Sequence, residues 1–145
     1  MDGPFGFRDI MMSVHIKEDI FMAVTFYRCE HCGNIIIKIV DSNVPVVCCG
    51  EKMKELIPSS TDAAVEKHVP VVKAEDGIIR VSVGSVEHPM TAEHYISHVV
   101  LETDAGIQIA ELHPGDKPEA VFALVEGASV IAAYAYCNLH GLWKS

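Results

Sequence analysis

Four of the five cysteines lie between residues 29 and 49, in a spacing that is typical of a metal site. Cys29 and Cys32 form a Cys-x-x-Cys pair, and the adjacent Cys48 and Cys49 follow after 15 further residues. Four thiolates in this pattern can surround one metal ion tetrahedrally. Because adjacent cysteines reach less freely than a Cys-x-x-Cys pair, we expect a tetrahedron distorted at Cys48 and Cys49. Zinc would make this site a structural knuckle and iron a one-electron centre, and the spacing leaves both open.

The fifth cysteine, Cys137, is followed three residues later by His140, and three more histidines lie upstream: His68, His88 and His94. His88 and His94 flank a short loop that can fold around an ion. Imidazole ligands suit iron, copper, nickel and zinc, and a thiolate adds softness and electron donation. On residue types and spacing alone, separate surface or loop histidines remain the simpler interpretation.

The composition excludes several classes of function. The 145 residues carry 20 acidic against 11 basic side chains, a formal charge of −9, so nucleic-acid binding is not expected. An anionic substrate would therefore need a local positive group to attract it. The chain has no run of 18 apolar residues and no signal-peptide pattern, so we expect no membrane partner. In that context we interpret the cysteines as cytoplasmic thiols rather than as a disulfide framework.

The first four cysteines fall in a short unit that we assign to residues 23–57. It follows an N-terminal extension, residues 1–22, in which Asp9–Phe21 is predicted to form one short helix. The strands expected in the unit are Val24–Arg28, Ile35–Val40 and, confined to a sheet edge by its proline, Val44–Val47. A unit of about 35 residues buries too little apolar surface to be stable alone, so it needs a metal or another staple.

Residues 58–145 are predicted to form a larger domain, which begins with the linker Pro58–Thr61. One predicted strand alternates apolar and polar residues over 79–83, and the others are Tyr95–Thr103, Ile107–Leu112, Val121–Val125 and Val130–Cys137. No segment after residue 60 keeps a helical period for three turns. The pattern predicts an all-β sandwich of about seven strands, similar in size to an immunoglobulin-like domain.

Five ordered motifs connect the two candidate sites to a known family. They are Tyr-Arg-Cys29-Glu-His-Cys32-Gly-Asn, Cys48-Cys49-Gly-Glu-Lys-Met, Glu66-Lys67-His68-Val-Pro, Glu-His88-Pro-Met-Thr-Ala-Glu-His94-Tyr-Ile and Tyr-Cys137-Asn-Leu-His140-Gly-Leu-Trp. In these motifs the chain resembles desulfoferrodoxin, the two-iron superoxide reductase family, from about Phe26 to Trp143. Every ligand position of both centres in that family has its counterpart here.

The resemblance implies a desulforedoxin-like module followed by a superoxide reductase β-sandwich, with one iron ion in each. The iron of the module would be held by Cys29, Cys32, Cys48 and Cys49. The active iron would have four equatorial ligands and one axial ligand, which are His68, His88, His94, His140 and, axially, Cys137. The reaction implied is the one-electron reduction of superoxide to hydrogen peroxide, without release of O2. Members of the family are homodimers and take electrons from rubredoxin-like donors.

Two residues beside His68 have roles to fill in that reaction. Lys67 is the local positive group that an acidic chain needs to attract superoxide, and it would help to bring protons through water. Glu66 would close the site by ligating ferric iron after the product leaves. The alternatives are an ordinary exposed lysine and a solvated acid.

Departures from the family lie outside the chemistry. They are the N-terminal extension and His98, a strand residue that we interpret as surface or interface. His15, His31 and His113 are likewise interpreted as surface or loop residues. Two other classes of function stay open: an electron-transfer protein that uses only the four-cysteine iron, and an interaction module built on a zinc knuckle.

Overall fold

The computed structural model describes residues 24–145, so the predicted helix over Asp9–Phe21 and His15 lie outside the described residues. One short helix, α1 (Val65–His68), follows the first five strands. The strands are β1 (Phe26–Arg28), β2 (Ile35–Ile37), β3 (Val47–Cys48), β4 (Glu51–Lys52), β5 (Lys54–Leu56), β6 (Pro70–Glu75), β7 (Ile78–Val83), β8 (Ile96–Thr103), β9 (Gly106–Glu111), β10 (Glu119–Ala123), β11 (Val130–Cys137) and β12 (Gly141–Lys144). Within residues 24–145, no helix has the length and apolar character needed to cross a membrane.

The four-cysteine segment forms two small sheets. Strand β1 is central in an antiparallel sheet of order β2-β1-β5, and β3 pairs with β4. Strand β5 was not predicted, because its residues Lys-Glu-Leu show no apolar alternation; it joins the sheet by pairing with β1, and Leu56 packs against the cluster around Phe26.

All three strand predictions in this segment were too long, and the first was so because β1 begins at Phe26 and not at Val24. The strand predicted over Ile35–Val40 ends at Ile37, which pairs with the first residue of β1. Ile39 is 96% exposed, because the chain leaves the sheet and Lys38 Nζ closes a loop on Val44 O at 3.0 Å. Of the strand predicted over Val44–Val47, only Val47 is in a strand, and it forms β3 together with Cys48.

The prediction of an all-β sandwich of about seven strands is confirmed. After α1, seven strands form two antiparallel sheets, of order β10-β7-β6 and β12-β11-β8-β9. The core lies between them and takes Ile79, Val81 and Val83 from one sheet and Val99 and Leu101 from the other. The alternation over 79–83 therefore marks the buried face of β7, as period-2 patterning predicts.

The outer face of the four-stranded sheet is covered by the cysteine-bearing segment. Phe26 packs there in a second apolar cluster and meets the ring of Tyr134 edge-on, with centroids 5.1 Å apart. The Tyr134 hydroxyl donates a 2.9 Å hydrogen bond to the buried carboxylate of Glu102. Because Phe26 lies three residues before Cys29 and Tyr134 three before Cys137, this contact holds together the two strands that lead into the candidate sites.

Candidate metal centres

The four candidate histidines and Cys137 lie where strands of the sandwich begin or end. His68 is the last residue of α1, and His88 follows the turn after β7. His94 lies in the loop before β8, whose first residue pairs with Cys137 at the end of β11. His140 lies in the turn between β11 and β12, where Cys137 pairs with Gly141. Pairing within each sheet and packing of the two sheets thus bring residues that are up to 72 positions apart to the same end of the domain.

These side chains converge on one point. The ligand atoms of His68, His88, His94 and Cys137 lie within 4.8 Å of one another. His140 lies at the margin of that group, with its Nδ1 atom 3.1 Å from His68 Nε2 and 3.8 Å from Cys137 Sγ. His68 Nε2 is also 3.2 Å from His88 Nε2. Two imidazoles bound at right angles, with metal–nitrogen bonds of about 2.1 Å, would have nitrogens about 3.0 Å apart, so these spacings fit a shared metal ion.

The outer nitrogens of two rings determine which inner nitrogens can bind a metal. His68 Nδ1 donates to Ala64 O at 2.7 Å, and His88 Nδ1 donates to Pro89 O at 2.6 Å. Since a carbonyl only accepts, both rings carry their proton on Nδ1 and turn the Nε2 lone pair inward. Two lone pairs 3.2 Å apart repel unless a cation lies between them. His94 Nε2 is buried and has no hydrogen-bond partner among the described residues, so its lone pair too is available to a cation.

Burial keeps the histidines in the neutral form that metals bind. It lowers the pKa of His68 and His94, and it lowers the pKa of His88 from 6.5 to about 4. Burial also raises the pKa of the Cys137 thiol, against the opposing effect of the backbone N–H groups of Leu139 and His140. A positive ion is therefore needed to keep Cys137 as a thiolate.

Two further residues hold this group in place and were not singled out from the sequence. The Asn138 side chain donates to Glu93 O at 3.0 Å and accepts from the Tyr95 N–H at 2.9 Å, so it grips the loop on both sides of His94. Trp143 packs its ring 4.8 Å from that of His68 and donates from Nε1 to His140 O at 3.1 Å. In the sequence, only their position in the motif that begins at Tyr136 pointed to these two residues.

Glu66 and Lys67 are exposed on α1, directly before the buried His68. The charge of Lys67 contributes to the lowered pKa of both His68 and His94, so the ammonium group acts on the histidine group. Glu66 has the opposite effect on the pKa of His68. The two charged residues thus act on the pKa of His68 in opposite directions.

The second group is formed by Cys29, Cys32, Cys48 and Cys49, whose sulfurs lie within 4.8 Å of one another. All four are free thiols, and the Cys32 and Cys48 sulfurs are 3.6 Å apart. Ligands at the corners of a tetrahedron with metal–sulfur bonds of about 2.3 Å would be about 3.8 Å apart. The adjacent pair reaches the same point because Cys49 takes a left-handed backbone, with φ 52°, before Gly50.

The four thiols cannot all ionise without a cation. The backbone N–H of Cys32 lowers the pKa of Cys29 to about 6, so one thiolate forms readily. The neighbouring cysteines then raise the pKa of Cys49 to about 12 and also raise that of Cys48. A metal ion in their midst removes this conflict, and tetrahedral sulfur ligation suits zinc or iron.

The side chains of three other histidines belong to neither ligand group. His31 and His113 are exposed and lie near carboxylates, 3.1 Å from Glu51 and 3.7 Å from Asp116. His98 is partly buried and lines a cavity of about 600 Å³ on the outer face of the four-stranded sheet.

Comparison with known proteins points to one family. The desulfoferrodoxin family model matches residues 60–145. The desulfoferrodoxin of Syntrophotalea carbinolica is 48% identical over 120 residues, covering 82% of this chain and 93% of its own. A desulfoferrodoxin homolog of Archaeoglobus fulgidus is 42% identical, covering 82% and 94%.

The fold has a solved counterpart as well. The crystal structure of the superoxide reductase from Treponema pallidum superposes with a TM-score of 0.74 at 39% identity, covering 86% of this chain and 99% of its own. Sequence, fold and the two ligand groups thus agree, and the chain belongs to the desulfoferrodoxin family.

Proposed function

We propose that this chain is a superoxide reductase, an oxidoreductase that adds one electron and two protons to superoxide and releases hydrogen peroxide but no O2. The observation that carries the proposal is the convergence of three neutral imidazoles on the buried Cys137, with His94 Nε2 left without a partner. The family to which the chain belongs, and the superoxide reductases among its relatives, support the same activity.

The residues that would hold the active iron are His68, His88, His94, His140 and Cys137. Ferrous iron, when bound there, supplies the electron and a position for the substrate. The chain itself sets the environment of that ion. The carbonyls of Ala64 and Pro89 fix two ring tautomers, and the N–H groups of Leu139 and His140 stabilise the thiolate. As a ligand, the Cys137 thiolate would donate electron density to the ion.

Lys67 is the residue that we assign to substrate attraction. Superoxide is an anion and the chain carries a formal charge of −9, so the overall field opposes its approach. Lys67 offers a local positive charge next to His68, and its exposed ammonium group can pass protons from water to the reduced oxygen. Glu66, on the same helix turn, is the carboxylate that would ligate the oxidised iron once peroxide has left.

The four-cysteine group is assigned to a second iron, as in the two-iron members of the family, and zinc is the alternative that its ligands also suit. We assign residues 1–22 to an extension, 23–57 to the desulforedoxin-like module and 58–145 to the superoxide reductase domain. We further propose a homodimer, a rubredoxin-like electron donor and a cytoplasmic location. Five free cysteines are compatible with such a reducing compartment.

Iron analysis of matched variants tests these assignments. The iron-loaded chain should hold two iron ions, and Cys137→Ser should lose one of them together with the reaction with superoxide. Cys32→Ser should lose the other iron and keep the reaction. If the Cys137→Ser variant reacts with superoxide as fast as the unaltered protein, the assignment of the histidine group is wrong.

A further inference from the structure

The turn after β7 packs against helix α1 at a position that admits no side chain. A Cβ added to Gly84 would overlap Val86 O and would lie 2.7 Å from Lys67 O and 2.8 Å from Glu66 O. All three are backbone atoms, which cannot swing aside as the end of a flexible side chain can. A side chain at Gly84 therefore has to move either the turn or the helix.

The same turn holds α1 by hydrogen bonds at both of its ends. Val86 N–H donates to Glu66 O at 2.9 Å, and Ser85 Oγ donates to the same carbonyl at 3.3 Å. Gly84 N–H donates to Val69 O at 3.2 Å, one residue beyond the helix. These bonds and the close approach of Gly84 form a backbone clamp, which we define as residues 84–86 bonded to the carbonyls of Glu66 and Val69.

Helix α1 depends on such outside support. It has four residues, and its N-cap residue Ala64 makes no side-chain capping bond. An isolated helix of one turn is not stable in water, because nucleation fixes several residues for a single hydrogen bond. The positions of the exposed Glu66 and Lys67 side chains are thus determined by what the helix packs against.

We propose that Gly84 is a positioning residue for the reaction. Its lack of a side chain lets the turn approach the Lys67 carbonyl and bond the Glu66 and Val69 carbonyls, and the clamp determines where the Glu66 and Lys67 side chains stand over the histidine group. The inference rests on the proposed function, in which Lys67 attracts superoxide and Glu66 ligates the oxidised iron.

The chain provides a matched control. Gly127 has φ +85° against +84° for Gly84, and a Cβ added to it would meet nothing within 4 Å. Gly127→Ala therefore carries the same backbone penalty as Gly84→Ala, without the overlap, in a loop between β10 and β11. A difference between the two variants reports the clamp and not the left-handed conformation.

The test compares both variants, loaded with iron, in the rate of reaction with superoxide as ionic strength is varied, and in the ferric absorption spectrum. We expect Gly84→Ala to retain its iron, to react slower by a factor on the order of ten, to depend less on salt and to have a shifted ferric spectrum. Misplacing a group by about 1 Å costs up to ~100-fold in rate. Unchanged rate, salt dependence and spectrum in Gly84→Ala, or equal changes in Gly127→Ala, would overturn the proposal.

A second measurement does not depend on folding of the variant or on superoxide chemistry. In the unaltered metal-loaded chain, hydrogen exchange at the Val86 amide should be strongly protected, because its N–H is held by Glu66 O. Exchange at the rate of an unstructured peptide would show that no clamp exists. A protected Val86 in a chain that does not reduce superoxide would refute the proposed function and leave the clamp standing.

Discussion

Replacing Asn138 with alanine should weaken metal binding at the histidine group and leave the four-cysteine group unaffected. The Asn138 side chain makes two hydrogen bonds to backbone groups on either side of His94, at 3.0 Å to Glu93 O and 2.9 Å from Tyr95 N–H. Asn138 itself follows Cys137. The side chain thus connects the loop of one proposed ligand with the strand end of another.

The magnitude follows from the bonds lost. A hydrogen bond in a folded protein contributes about 0.5–1.5 kcal/mol net, so two bonds amount to about 1–3 kcal/mol. The two bonds hold His94 where it can bind the metal, so their loss weakens metal binding by about 5- to 150-fold, since ~1.4 kcal/mol is a factor of ten. Outer partners of metal ligands typically affect affinity by about 10- to 100-fold, which is the same range.

The assay is chelator competition on iron-loaded protein, with the absorption of each centre followed separately. Asn34→Ala is the reciprocal control, because Asn34 Nδ2 donates to Cys48 Sγ at 3.6 Å. This variant should weaken metal binding at the four-cysteine group and leave the histidine group unaffected. Asn138→Asp keeps the acceptor for Tyr95 N–H, loses the donor to Glu93 O and should lie between alanine and the native residue. Equal affinity in Asn138→Ala and the unaltered chain, or equal weakening of both centres, would refute the reasoning.

Three further predictions concern the charged and titrating residues of the site. Lys67→Ala should slow the reaction with superoxide and reduce its dependence on ionic strength, while Lys67→Arg should keep the salt dependence; stopped-flow rates at several salt concentrations decide this. Glu66→Ala should keep the activity and change the ferric absorption spectrum, and an identical spectrum would exclude ligation by Glu66. In the metal-free chain, burial lowers the pKa of His88 from 6.5 to about 4, so between these values the unfolded chain binds a proton that the folded chain does not. The free energy of unfolding should therefore fall as the pH drops from about 6.5 to about 4, and His88→Gln should flatten this dependence in urea titrations.

Local patterns in the sequence predicted the parts of the molecule that depend on near neighbours. The Cys-x-x-Cys spacing brings Cys29 and Cys32 together because a single turn joins them, with Gly33 N–H bonded to Cys29 O. The alternation over 79–83 predicted a half-buried strand because each β7 side chain faces either the core or the other side of the sheet. Apolar content alone was misleading at Ile39, where a β-branched residue lies in an exposed loop.

Local sequence patterns could not predict the histidine group. His68 and His140 are 72 residues apart and lie next to strands of different sheets, β6 and β12, so only the packing of the two sheets brings them together. Spacing alone therefore favoured separate surface histidines, and the family motifs supplied what periodicity lacked. The clamp at Gly84 was equally hidden, since a glycine after a strand has the composition of an ordinary turn.

The most direct test of the central claim is the stoichiometry of the products. The reduced, iron-loaded chain is mixed anaerobically with a known amount of superoxide, and hydrogen peroxide and O2 are measured together. Reduction predicts one hydrogen peroxide for each superoxide consumed by the reduced centre, and no O2 from that reaction. One hydrogen peroxide and one O2 for every two superoxide would mean dismutation, and it would contradict the account.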